Sequence, residues 1–409
     1  MLTILSKLLW LTMMLISIKS LRFSAARKSF ALMAGSSAPP ASGKSLHSLR
    51  SLAPILSEEV INRAKRCALF IDDSTDPFHC VQSVSSKLIE NDFHQLKEKD
   101  KWTAESVLKK GGKYFFTRNG SSIVAFIIGK NYKPGNGFKI IGAHTDSPNL
   151  KVKPNSKRSS SGLIQLNVEC YGGGLWHTWF DRDLSICGRV ILAGDGNAGT
   201  YETKLVKIEQ PVLRIPNLCI HLRSADEREV FKINKEEHLA PILSAEVKAA
   251  LGSNTTESTD GADSWKKAQH LELLELISSQ VDRPVEHIVD FELSLFDTQK
   301  AAFSGSRSEF LCSSRIDNLA SCYAILESFI DYGNSPQLVA DEDMVTVLAL
   351  FDHEEVGSDS IAGAGSTLIS DAISRISFAL SDDQFQPDGE IHRTALARLE
   401  VEEFKSSFT

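Results

Sequence analysis

The sequence predicts an α/β fold in which a central mixed sheet flanked by helices is interrupted by an inserted β-rich block. Two observations predict it. Apolar runs of strand length, such as Ser122–Ile128 (SIVAFII) and Val345–Phe351 (VTVLALF), alternate with segments whose apolar residues recur at helical spacing. Between about Asn155 and Asp290, short apolar runs are instead divided by turn residues, the pattern of a β-rich unit. The chain has 409 residues, 42% hydrophobic and 24% charged, an ordinary globular composition whose length suits two or three domain-sized units.

In chain order, residues 1–45 read as a targeting-like extension and linker. Lys7 precedes an apolar run, Leu8–Ile18 (LLWLTMMLISI), that is too short for a membrane span. Arg22, Arg27 and Lys28 follow in a Ser/Ala-rich stretch without an acid, and Gly35–Ser45 is a Gly/Pro/Ser linker. A secretory signal, an organelle transit peptide and a misplaced start codon all fit this segment. Residues 46–154 form the first part of the α/β domain, with helical spacing at Leu49–Phe70 and Val81–Leu96 and β-like runs at Lys113–Arg118, Ser122–Ile128 and Phe138–Ile141. Residues 155–290 are the inserted block, with apolar runs at Gly188–Leu192 and Pro211–Ile220, a polar tract at Gly252–Ser264 and helical spacing at Trp265–Val281. Residues 291–409 resume the α/β domain with a helix at Ile316–Tyr332 and the strand Val345–Phe351, and diverge in character from about 375.

The formal net charge of −7 carries no long single-sign run, which excludes the electrostatic footprint of a nucleic-acid partner. Seven cysteines include no Cys-x-x-Cys pair and are odd in number, which fits a reducing compartment. We therefore expect an intracellular protein, in the cytoplasm, or in a plastid or mitochondrion if the extension is a transit peptide. No membrane association is expected for the mature chain.

Three polar clusters stand at strand or helix ends. His144 and Asp146 end the run FKIIGAHTDSP: the imidazole can bind a metal while the carboxylate orients the ring or a bound water. An ordinary polar loop has the same composition. Asp317 stands in Arg315-Ile316-Asp317-Asn318, where a carboxylate can bridge two metal ions but where the local residues favour a helix cap. Glu354 and Glu355 follow the apolar strand. Adjacent carboxylates point different ways, so one can ligate a metal while the other takes a proton from bound water.

These clusters lie within GAHTDSP, GGGLWHTWFDRDLSICGR, LRIPNLCIHL, SRIDNL and LFDHEEVGS, which closely resemble the M18 metallopeptidases, the aspartyl aminopeptidases, from about Leu49 to about Ile376. The resemblance implies a metallopeptidase domain holding two Zn2+ ions. It makes His144 a ligand, Asp317 the bridging ligand, Glu355 a further ligand, Glu354 the general base and Asp146 a supporting residue behind the ligands. It implies that His221 reaches the substrate carbonyl from a neighbouring subunit. It also implies hydrolysis of peptides with acidic N-termini, a cationic group in the substrate pocket, and homo-oligomers assembled through the inserted dimerisation domain. His177 receives no role, and Asp181, Arg182 and Asp183 are read as tying their loop together.

After about Ser374 the recognisable motifs stop. A further Asp ligand and a final His ligand expected from the family are not found, and Asp371, Asp382 and His392 have unlike surroundings. From this the sequence reading expects a C-terminally truncated chain, an incomplete ligand set and an unpaired sheet edge. It leaves a catalytically inactive subunit, acting only through assembly, as the alternative to an active enzyme.

Overall fold

A computed structural model describes residues 57–102, 107–194, 199–246, 264–381 and 400–402. The N-terminal apolar run, the linker, almost all of the polar tract at 252–264, and the tail residues Asp382 and His392 lie outside them.

Helix α1 (Glu58–Asp73) starts after Ser57, whose hydroxyl accepts from the Val60 N–H, and carries Glu58 and Glu59 in its first turn. Helix α2 (Pro77–Glu90) starts after Asp76, whose carboxylate takes the His79 N–H, and puts Pro77 where no N–H is needed. The helical spacing read over Val81–Leu96 therefore belongs to a helix set by its caps. Asp76 and Pro77 open it early, and the chain leaves it at Asn91 and Asp92, the latter at a φ of 62°.

Strands β1 (His94–Gln95), β2 (Lys113–Arg118), β3 (Ser122–Ile128) and β4 (Phe138–His144) follow. Next come β5 (Asn149–Ser160), β6 (Leu163–Tyr171), β7 (Leu184–Ala193), β8 (Tyr201–Lys207), the short α3 (Ala225–Glu229) and β9 (Ile242–Ala245). Helices α4 (Ser264–Lys267) and α5 (Leu271–Val281) precede β10 (Ile288–Asp297) and the hairpin of β11 (Ala302–Ser304) and β12 (Phe310–Cys312). The chain closes with α6 (Ile316–Gly333), α7 (Pro336–Asp341), β13 (Val345–Phe351), α8 (Leu368–Ala379) and β14 (Glu400–Glu402).

The first sheet has the order β1-β2-β3-β13-β4-β14 and is mixed, with β13 antiparallel to β3 and parallel to β4. All seven residues of β3 are buried because both faces of the sheet are covered. Ile123, Ala125 and Ile127 pack with α1, α2 and α6, while Val124, Phe126 and Ile128 pack with Trp102, Tyr132 and α8. The edge beside β4, expected to be bare, carries β14 in parallel register over Lys139–Ile141.

The second sheet has the order β8-β7-β10-β5-β6-β9, and its strand pairs are antiparallel. Its strands run from Asn149 to Asp297, a wider span than 155–290, because the β7–β10 ladder continues to the pair Leu184 and Asp297. Helix α5 closes one face by burying Leu273, Leu274, Ile277 and Val281. The apolar run Pro211–Ile220 forms only isolated bridges, at Leu213 and Arg214. Proline at 211 and 216 removes the donors a full ladder needs.

Candidate metal centre

Strands β4 and β13 are parallel neighbours with His144 opposite Phe351. Their carboxyl ends therefore bring His144 beside the turn that carries Glu354 and Glu355, although the two segments are far apart in sequence. A sheet positions ligand-binding groups at such strand ends.

The His144 Nδ1 lies 3.0 Å from the Asp146 carbonyl oxygen. A carbonyl can only accept, so Nδ1 carries the proton and Nε2 presents its lone pair. That lone pair faces Asp317 Oδ1 at 3.4 Å and Glu354 Oε2 at 3.7 Å. Three acceptors thus confront one another without a donor between them, an arrangement that a proton or a metal cation resolves. Donor atoms of His144, Glu354 and Glu355 all lie within 4.8 Å of one another. Imidazole nitrogen and carboxylate oxygens are the donors zinc takes, so the residues fit that ion.

The electrostatics agree. Burial lowers the affinity of His144 for a proton, but Asp146, Glu354 and Asp317 outweigh it and hold the imidazole above its ordinary value. Burial, aided by Asp146, Glu354 and Asp317 and opposed by His144, pushes Glu355 up to about 7. A bound cation would draw this value down, so it marks a local excess of negative charge.

Asp146 faces away from the open centre. It is fully buried and accepts the Tyr171 hydroxyl at 2.6 Å and the backbone N–H groups of Glu354 at 3.2 Å and Glu355 at 3.1 Å. Burial pushes its pKa up, but the His144 imidazole 3.3 Å away and hydrogen bonds from the Tyr171 hydroxyl and the Glu355 N–H hold it below the usual carboxylate range. One carboxylate therefore fixes the whole turn that presents both glutamates. Tyr171 escaped the sequence reading. Its signal was its place immediately before the glycine run 172–174. Gly172 sits at a φ of +76°, and a Cβ there would come within 2.9 Å of the Glu355 Cβ.

Asp317 lies at the start of α6, where Asp317 and Asn318 depart from helical geometry and the peptide between them is cis. No side-chain cap closes this helix start; the Asp317 carboxylate turns to His144 while its carbonyl accepts the Ser147 hydroxyl at 2.7 Å.

Other singled-out residues fall elsewhere. His221 is exposed in a 3-10 turn, Ile220–Leu222, and not on a strand; among the described residues no hydrogen bond or ion pair joins it to the cluster. His177 is exposed in the turn Trp176–Trp179. Asp181 binds the backbone and side chain of Asn217, Arg182 pairs with Asp297 at 2.7 Å and Asp183 with Arg214 at 2.6 Å, so these residues do tie their loop down. Asp371 pairs with Arg118 at 2.9 Å.

A cavity of about 640 Å³ opens beside Asp317, between α2, β7, β10 and the start of α6. Its size is that of a small-ligand site.

An α/β sheet that gathers an imidazole and carboxylates at the carboxyl ends of parallel strands is an arrangement able to hold a metal ion. Residues 70–396 match the family described as aminopeptidase I zinc metalloprotease (M18), and the chain belongs to that family. This match passes Ser374, where the recognisable motifs stop, and runs into the tail. A Ricinus communis protein named probable aspartyl aminopeptidase is 43% identical over 329 residues, covering 77% of this chain and 66% of that protein. The chain thus spans about two thirds of the length of the curated relatives it matches. Among solved structures, Chaetomium thermophilum mApe1 is 32% identical with a TM-score of 0.72, over 83% of this chain and 73% of that one. The S. cerevisiae mApe1 dodecamer is 26% identical with a TM-score of 0.70, over 84% and 71% respectively.

Proposed function

We propose that the protein is a zinc-dependent aminopeptidase that removes Asp or Glu from the N-termini of peptides. The observation that carries this reading is the His144 Nε2 lone pair aimed at Asp317 and Glu354, with Glu355 alongside. His144, Asp317 and Glu355 would hold the metal. When bound, zinc supplies Lewis acidity and lowers the pKa of water.

The chain's own residues then have distinct tasks. The Asp146 carbonyl holds the Nδ1 proton of His144, which keeps Nε2 free. The Asp146 carboxylate, through the two backbone N–H groups, holds Glu354 and Glu355 in place. The Glu354 side chain is 55% exposed and is open to water. It takes the proton of the attacking water and returns it to the leaving amine. His221 belongs to this reading as a residue supplied to a neighbouring copy, where its ring would stabilise the oxyanion. The exposed Leu218, Ile220 and Leu222 around it support a subunit contact, and so does the dodecameric relative. The acidic preference rests on the aspartyl aminopeptidase relatives.

A second reading, a subunit that assembles without turnover, draws on the donor count. Among the described residues only one group of three metal donors is present, whereas a catalytic zinc commonly takes three ligands for itself.

The test is release of Asp from an Asp-initiated peptide by the purified chain, with a chelator control and a parallel zinc titration. Chelator-sensitive release supports the enzyme reading; zinc binding without release supports the assembly reading. Failure to bind zinc at all refutes both metal assignments. Glu354→Gln should remove turnover and spare zinc binding, and preserved turnover would sink the general-base role.

A further inference from the structure

We infer that Lys151 and Glu292, on the second sheet, are positioning residues for the metal centre, acting on the Glu354–Glu355 turn through Tyr171 and Asp146. The inference rests on the metal assignment above and extends it to a sheet that carries none of the candidate ligands.

The two faces of the second sheet differ. Leu150, Cys170, Val190 and Leu293 pack in or against the apolar core that α5 closes. Side chains alternate between the faces of a strand, so their neighbours Lys151, Tyr171, Arg189 and Glu292 stand on the other face. The strands that carry them, β7, β10, β5 and β6, are consecutive in the sheet, and each gives this row one residue. The register aligns the row. Arg189 lies opposite Glu292, while Lys151 lies opposite Ser294 and Glu169, which makes Glu292 and Tyr171 its diagonal neighbours.

The contacts run without a break to the metal centre. Arg189 donates to Glu292 Oε2 at 3.0 Å and Lys151 donates to Glu292 Oε1 at 2.9 Å, so each carboxylate oxygen holds one cation. Burial pushes the Glu292 carboxyl up, but Lys151 and Arg189 hold it below its ordinary value. So held, the Lys151 ammonium stands over the Tyr171 ring, 4.5 Å from its centroid. The Tyr171 hydroxyl donates to Asp146 at 2.6 Å, and Asp146 accepts the N–H groups of both glutamates. At the other end, Arg189 donates to the carbonyl and side-chain oxygens of Asn119 at 3.1 and 3.0 Å and lies over the Phe78 ring. That pins the row to the turn between β2 and β3 and to α2.

A cation over the face of a phenol has two effects. Its attraction to the ring fixes the ring plane, and with it the direction of the O–H. It also polarises the phenol into a stronger donor toward Asp146. Only 19% of the Lys151 side chain is exposed, so water and salt screen this interaction less than they would at the surface. An aliphatic side chain at 151 would remove both effects and leave Glu292 with one cation.

The experiment measures zinc affinity by competition with a chromophoric chelator, and the melting temperature of the metal-free chain, on the 409-residue protein. The variants are Lys151→Met, Lys151→Arg, Glu292→Gln, Tyr171→Phe and the double variant Lys151→Met/Tyr171→Phe. Lys139→Met is the control, since it breaks a comparably covered ion pair, Lys139 with Glu342 at 2.9 Å, at the other end of β4 from His144. Lys151→Met should weaken zinc binding about three- to tenfold, the range one cation–π contact supplies. Glu292→Gln should weaken it less, and Lys151→Arg, which keeps a cation over the ring, should restore it. Lys139→Met should lower the melting temperature and leave zinc affinity unchanged. In the Tyr171→Phe background Lys151→Met should cost no further zinc affinity, because the hydroxyl that carries its effect is gone. Unchanged affinity in Lys151→Met, the same loss with and without the Tyr171 hydroxyl, or an equal loss in Lys139→Met would each overturn the inference. If Lys151→Met does not fold, Glu292→Gln with and without Tyr171→Phe makes the same comparison. Absence of zinc binding in the unaltered chain would instead refute the metal assignment, and the inference with it.

Discussion

Asp146→Asn removes one charge and turns an acceptor into a donor at a fully buried position. The carboxylate accepts the Tyr171 hydroxyl and the Glu355 N–H on Oδ2, and the Glu354 N–H on Oδ1. If the amide nitrogen takes the Oδ2 place, Tyr171 can reverse its hydroxyl, but the Glu355 N–H then meets another N–H. At Oδ1 the Glu354 N–H suffers the same conflict. Either way one hydrogen bond is lost and the rest change from charged to neutral acceptors. A charged hydrogen bond contributes about 1.5–3 kcal/mol and a neutral one about 1 kcal/mol, so losing one and weakening two should cost about 2.5–7 kcal/mol. Relief of repulsion on Glu355 offsets a part of this, because Asp146 is one of the charges that raise it. Urea unfolding of the metal-free chain at pH 8 measures the loss. A value below about 1 kcal/mol would refute the claim that these bonds hold the turn. Zinc affinity of the same variant should fall about 10–100-fold, as is usual when a residue supporting metal ligands is removed. The pH at which Glu355 gives up its proton should also move down, and an unmoved midpoint would contradict the charge cluster described here.

The other predictions concern the same turn. In the metal-free protein Glu355 titrates near 7 against an ordinary 4.5, so the folded state binds more protons between those values. Its contribution to stability is therefore present below about 4.5 and is lost as pH rises through about 7. Zinc affinity should move the opposite way, rising about tenfold per pH unit toward 7 as the competing proton leaves, and a flat profile from pH 5.5 to 7.5 would exclude Glu355 as a ligand. Gly172 and Gly162 share a positive φ, +76° and +75°, but only at Gly172 would a Cβ strike another atom, the Glu355 Cβ. Alanine at either should cost about 1–2 kcal/mol of backbone strain. Only Gly172→Ala should also weaken zinc binding, and equal zinc affinities in the two variants would refute the close-approach argument.

Much of the molecule was legible in the sequence because the relevant forces are local. SIVAFII and VTVLALF are strands buried on both faces, and such strands read as continuous apolar runs. The polar residues that follow β4 and β13 mark strand ends, and the motifs there named His144, Asp146, Glu354 and Glu355. Helix boundaries were less legible. The signal at Asp76 and Pro77 sits ahead of the periodic stretch, and the Trp265–Val281 spacing breaks at His270 into α4 and α5. The span of the second sheet was underestimated at both ends because a strand's pairing partners are not written in its own residues. Asp317 shows the limit most clearly. From the local sequence a helix cap was the favoured reading and a ligand role came only with the resemblance; in the fold its carboxylate turns to a histidine on another strand.

By itself, then, the sequence determined the alternation of helices and strands, the buried apolar segments and the residue types able to bind a metal, since periodicity and side-chain chemistry act over a few residues. Only the tertiary structure decided which of those residues face one another. It set β4 beside β13 in parallel register and gave Asp146 the task of holding Glu354 and Glu355 with Tyr171. Proximity between segments far apart in the chain arises from packing and hydrogen-bond closure over the whole fold, which no local window contains.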